Sequence, residues 1–75
     1  MELNSTTEIG KAVRSVRKQM RLTQANLAMT AGTGLRFIID LEKGKPTCEI
    51  GKALAVLSTL GIEVSLISPL IPKKE

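Results

Sequence analysis

Histidine, tryptophan and tyrosine are absent from this 75-residue chain, which has one cysteine and one phenylalanine. The lone thiol, Cys48, has no internal disulfide partner. It suits a reducing cytosol and reads as a small buried or half-buried group. With no histidine and one cysteine, a metal site of the zinc kind has no ligand set. General acid–base catalysis needs positioned titratable groups with tuned pKa values in a pocket. Here no two carboxylates belong to an obvious pocket, and Ser15, Ser58, Ser65 and Ser68 have no nearby base. The chain is therefore not expected to be an enzyme, nor to need a cofactor or a small-molecule ligand. No apolar run approaches the roughly 18 residues of a membrane span. Met1-Glu2 opens no basic segment and no apolar segment follows, so a signal peptide is not expected. The expected location is the cytoplasm, at the nucleoid. There is no internal repeat and no low-complexity segment.

What is present is basic. The net charge is +4 and the isoelectric point is about 9.7, which favours a polyanionic partner. A chain this short makes one domain with a small core, so helical packing or a partner subunit must supply stability.

The stretch 22–44, LTQANLAMTAGTGLRFIIDLEKG, organises the rest. Thr23 stands at an N-cap position before a run with helical spacing of apolar residues. Leu27, Ala28 and Ala31 fall on one face, and Gly32 ends the run. A second run carries Ile38 and Leu41 at i, i+3 and is closed by Gly44. Helix, tight turn and helix over roughly twenty residues is the helix-turn-helix arrangement, whose second helix can enter the major groove of DNA.

Upstream, Ser5-x-x-Glu8 fits a capping box, with Leu3 available as a hydrophobic staple. A first helix is predicted to about Met20, with Ile9, Val13, Val16 and Met20 on its apolar face. Lys11, Arg14, Lys18 and Arg21 lie off that face, towards solvent or a phosphate backbone. Arg17 lies beside the apolar face. It is expected to pair with Glu42 and so fix the first helix against the third. Phe37 sits between core stripe and outer face, with core packing favoured over a partner surface.

Downstream, Pro46 forbids continuation of the helix, and Thr47 can cap the next one. A fourth helix is predicted over about 48–60, burying Ile50, Ala53, Leu54, Leu57 and Leu60, and stopping at Gly61. The period then changes. Ile62, Val64 and Leu66 alternate with Glu63, Ser65 and, imperfectly, Ile67, as in a strand with one apolar face. The chain offers no second strand, and a lone strand does not persist in water. The same strand of a second copy is its expected partner across a two-fold axis; the alternative is an extended segment draped over the core. The expectation is an all-α domain of four to five helices with one C-terminal β-strand paired in a homodimer. Residues 5–68 form this unit and 69–75 a flexible tail.

The run LTQANLAMTAGTGLRFIIDLEKGKPT resembles the repressor-type (Cro/XRE-like) helix-turn-helix family. With the flanking IGKAVRSVRKQMR and IGKALAVLSTLGIEVSL, it looks most like the HipB-like antitoxin branch, on the FI-DLE-GKPT run and the strand after it. The resemblance covers about residues 8–66. It implies a dimer with two recognition helices about 34 Å apart on double-stranded DNA. It also implies repression of the protein's own operon at a palindromic operator, and restraint of a HipA-like serine/threonine kinase toxin.

Carried over by position, Gln24 matches a glutamine that bonds a DNA phosphate, and base-reading positions fall on Gly34, Leu35, Arg36 and Ile39, with Asp40 beside them. The family usually has a small hydroxyl residue where Gly34 stands, a polar residue at Leu35 and often serine at Ile39. That leaves Arg36 alone able to grip guanine, while Leu35 and Ile39 can touch thymine methyls. Arg36 also suits a phosphate. Lys43 and Lys45 flank the helix end as phosphate contacts, and Thr47 is grouped with them. Two other readings stay open. One is a protein-binding antitoxin with little specific DNA contact; the other is an ordinary repressor of this family with no toxin partner.

Overall fold

Helix caps set the architecture. In the computed structural model, which describes residues 5–46, 49–65 and 69–70, four helices follow one another. They are α1 (Thr6–Gln19), α2 (Gln24–Ala31), α3 (Leu35–Glu42) and α4 (Ile50–Thr59). Ser5 caps α1, its hydroxyl oxygen accepting from the Glu8 amide at 3.2 Å. The Glu8 carboxylate turns to the Ser5 hydroxyl at 3.5 Å rather than to the Ser5 amide, so that box is half formed. Thr23 caps α2 in a complete box. Its Oγ1 accepts from the Asn26 amide at 3.0 Å, and its own amide donates to Asn26 Oδ1 at 3.4 Å.

All four helices end in the same two-bond turn. One amide returns to a carbonyl three residues back, and the next amide returns to one five back. In α3 these are Gly44 to Leu41 and Lys45 to Asp40, both 3.0 Å. The turn requires a left-handed residue, which is glycine after α2, α3 and α4 but Arg21 (φ 58°) after α1. A side chain in that conformation costs roughly 1–2 kcal/mol.

The core is Val13 of α1, Leu27 and Ala28 of α2, Ile38 and Leu41 of α3, and Val56, Leu57 and Leu60 from α4 and its cap. Ile9, Val16, Leu22, Ala31, Phe37 and Ile62 pack around it. Two expected faces differ. Met20 is exposed, because α1 stops at Gln19 and Met20 becomes its cap. On α4, Val56 joins Leu57 and Leu60 inside, whereas Ile50 and Leu54 stand 71% and 47% exposed. This helix carries apolar residues on two sides, and among the described residues one side meets the core. Its start also differs. The N-cap is Glu49, without a side-chain cap bond, so the expected capping by Thr47 is not the arrangement found. Thr47, Cys48 and Leu3 lie outside the described residues.

The expected C-terminal strand is not seen. Among the described residues Ile62, Glu63, Val64 and Ser65 pair with no strand. The Ile62 amide instead donates to Leu57 O at 2.8 Å, completing the turn after α4, and its side chain packs on the core. A ladder needs a second edge, and the described residues hold none. Leu66 and Ile67 lie outside the described residues. Of the expected tail only Pro69 and Leu70 are described, and they form a turn.

The first half of α1 rests on the last turn of α3 with almost no space between backbones. A Cβ on Gly10 would stand 2.4 Å from Leu41 O and 2.8 Å from Glu42 O. A Cβ on Gly44 would stand 2.7 Å from Thr7 Cα. The same two helices are tied by charge. Arg17 Nε donates to Glu42 Oε2 at 2.6 Å and Nη2 to Oε1 at 3.0 Å, while Nη1 donates to Leu22 O at 2.8 Å. Both side chains are buried. Hydrogen bonding to Glu42 holds the Arg17 pKa above its ordinary value, against the opposing effect of desolvation.

Gly10→Ala is expected to lose about 1–3 kcal/mol of stability through overpacking, despite the better helix propensity of alanine. Gly51→Ala in α4, where a Cβ meets nothing within 4 Å, is expected to gain up to about 1 kcal/mol. Urea unfolding of the two variants checks this; a gain at Gly10 would contradict the close approach.

Candidate nucleic-acid interface

α3 follows α2 after Gly32, Thr33 and Gly34, so the two form the helix-turn-helix pair. Gly34 is the N-cap of α3 in extended conformation and has no side chain with which to cap. A Cβ there would meet nothing within 4 Å, so neither backbone nor packing demands the glycine.

Successive helical residues turn by about 100°, and Ile38 and Leu41 of α3 are buried. Arg36, Ile39 and Asp40 therefore point away from the core, with Lys43 just beyond the last turn. Arg36 is the most prominent, its side chain 79% exposed. Leu35 is half exposed at the start of the helix, and Ile39 is half-buried. Asp40 stands between two cations, with Oδ1 3.7 Å from Arg36 Nε and Oδ2 3.7 Å from Lys45 Nζ. Lys43 is exposed and has no ion pair among the described residues.

Gln24 opens α2 and is half-buried. Its Nε2 donates to Glu42 Oε1 at 3.2 Å, so it belongs to the Arg17–Glu42 network. An amide nitrogen has two protons, and one remains for a ligand. Lys11, Arg14, Lys18 and Arg21 are exposed without ion pairs among the described residues. Sequence reasoning missed Lys52, whose Nζ lies 2.7 Å from Glu49 Oε2 and 6.0 Å from the centre of the Phe37 ring. Its signal was the i, i+3 spacing from Glu49. Phe37 is half-buried on the core.

A second surface lies elsewhere. Ile9, Ala53, Leu54 and Leu57 line a shallow apolar groove with Ile50 and Val64. Ile50, Leu54 and Val64 are all substantially exposed.

No family model matches the chain. It is 52% identical over 67 residues to the HTH-type transcriptional regulator y4mF of Sinorhizobium fredii (strain NBRC 101917 / NGR234), covering 89% of this chain and 88% of that protein. It is 32% identical over 59 residues to the immunity repressor protein of Bacillus phage phi105, covering 79% of this chain but 41% of that protein. The restriction-modification controller protein C.AhdI from Aeromonas hydrophila has a similar solved structure. The TM-score is 0.68 at 24% identity, over 77% of this chain and 84% of that one, and this likeness shows the fold alone. None of these three is named for an antitoxin. Half-identity across nearly the whole length of a regulator, on a helix pair of this geometry, is decisive: the chain belongs to the helix-turn-helix transcriptional regulators of the Cro/XRE-like family.

Proposed function

We propose that the protein is a dimeric repressor that reads a palindromic operator, that of its own operon, with α3. The observation that carries this is the outward face of α3, where an exposed cation, Arg36, stands on a helix-turn-helix scaffold whose relatives are regulators. Arg36 makes the bidentate contact to a guanine edge, and Leu35 and Ile39 touch thymine methyls. The free amide proton of Gln24 meets a phosphate, as do Lys43, Lys45 and, beside them, Thr47. Gly34 admits the backbone close to the duplex. With few polar readers, sequence-dependent DNA shape supplies part of the selectivity.

The second copy covers the apolar groove. Ile50, Leu54 and Val64 leave apolar surface in water, and residues 62–67 find in the partner the edge that one chain lacks. The working unit is residues 5–68, with 69–75 as its tail.

A HipA-like kinase toxin as a further partner is supported by the resemblance of the FI-DLE-GKPT run, and by the exposed apolar side chains of Leu35 and Met29. An ordinary repressor without a toxin accounts equally for the relatives described above.

Arg36→Ala is expected to weaken operator binding by about 1–3 kcal/mol and to relax preference at one base pair. Equal losses on operator and random DNA would reduce Arg36 to a phosphate contact. Truncation after Gly61 is expected to destroy dimerisation by sedimentation velocity; an unchanged dimer would sink the pairing of residues 62–67. Affinity capture from native cells, with sequencing of bound DNA and mass spectrometry of bound protein, separates the two repressor readings. A kinase captured with one palindromic site establishes the antitoxin, and DNA alone leaves the ordinary repressor.

A further inference from the structure

We infer that Asp40 is a positioning residue for operator reading, holding Arg36 aimed at a base edge and Lys45 apart from it. This rests on the DNA-binding reading above and deepens it.

A carboxylate on the outward face of a DNA-reading helix is repelled by every phosphate it approaches. Its presence therefore calls for a role other than affinity. The geometry supplies one. Asp40 lies one helical turn after Arg36, and its two oxygens serve different cations. Oδ1 faces Arg36 Nε and Oδ2 faces Lys45 Nζ, each at 3.7 Å. The carboxylate is the recessed member, its side chain 26% exposed against 79% for Arg36 and 66% for Lys45. The cations thus stand outermost and the anion sits behind them.

The choice of atom on Arg36 matters. A guanidinium approached at Nε keeps both terminal nitrogens free, and those two donors match O6 and N7 of guanine. A long, exposed arginine otherwise samples many rotamers and grips whichever phosphate is nearest. Lys45, drawn to the opposite oxygen, is kept from that base edge and lies where the chain leaves α3 through its closing turn. At 3.7 Å both contacts are ion pairs rather than hydrogen bonds, so both arms retain travel to close on the duplex.

The test compares Asp40→Ala and Asp40→Asn with Arg36→Ala and with the double variant Arg36→Ala/Asp40→Ala. Binding is measured on the operator and on random duplex DNA, and base preference by selection from a randomised site. The expected result has opposite signs on the two DNAs. Loss of a negative charge raises affinity for random DNA, while the ratio of operator to random affinity falls about tenfold, the scale of one well-aimed base contact. The lost preference falls at the base pair that Arg36→Ala relaxes, and the double variant loses no more than Arg36→Ala alone. Operator and random affinities rising in equal proportion would reduce Asp40 to bulk charge and overturn the inference. So would a preference lost at a different base pair, which is direct reading of a base by the carboxylate. Equal losses on both DNAs with a lowered melting temperature would make Asp40 merely structural. A wild-type protein that selects no site from random DNA overturns the operator reading itself, before any variant is compared.

Discussion

The buried pair between Arg17 and Glu42 is the constraint on which the placement of α2 and α3 against α1 depends. Its guanidinium uses all three nitrogens, two on the carboxylate and one on the Leu22 carbonyl, and Glu42 also accepts from Gln24. Four segments thus meet at one point: the end of α1, the turn after it, the first residue of α2 and the last residue of α3. Burying two charges is costly, and such a pair gains little over a well-packed apolar substitute. Removing one partner is another matter, at about 3–5 kcal/mol. A domain of this length has only about 4–11 kcal/mol in total. The pair is better understood as a device for orientation than as a source of stability.

What it orients is α3. Glu42 reaches inward at the end of that helix, Ile38 and Leu41 reach into the core, and together they fix its rotation about its own axis. The contact of Gly10 with the carbonyls of Leu41 and Glu42 fixes its distance from α1. With rotation and distance set, Arg36 and Asp40 have no choice but to face outward. A mutation at Gly10 or Arg17, both buried, would therefore be felt at the outward face of α3.

Much of this was legible in the sequence because its causes are local. Ser5 and Thr23 announce helix starts by their own chemistry, and Gly32, Gly44 and Gly61 announce the ends. The pairing of Arg17 with Glu42 was legible for a different reason: a cation beside an apolar stripe needs an anion there. Other features have causes that no local pattern contains. Arg21 adopts the left-handed turn that glycine takes elsewhere, and an arginine carries no such signal. Gly10 looks like an ordinary helix glycine until another backbone arrives. On α4 the stripes Ile50–Leu54 and Val56–Leu60 are equally apolar, so spacing alone does not say which one the chain buries. The position of Gln24 at the start of α2 points to a phosphate, and its bond to Glu42 follows only from the packing of α2 on α3. The reading of residues 62–67 as a strand met the same limit, since pairing is a property of two edges.

These failures share a direction. The features placed wrongly on α4 and after it are those that the described residues of one copy leave incomplete: an apolar stripe that none of them covers and an extended segment with no edge beside it among them. Each large apolar side chain withdrawn from water contributes about 1.5–3 kcal/mol. Ile50, Leu54 and Val64 stand about half exposed or more, so each copy offers part of that amount across a two-fold axis. In the proposed dimer that same contact sets the separation of the two α3 helices. Stability and half-site spacing are then fixed by one interface. On that proposal, loosening the contact weakens the fold and the half-site register together, and two copies bound at one fixed distance add their few base contacts.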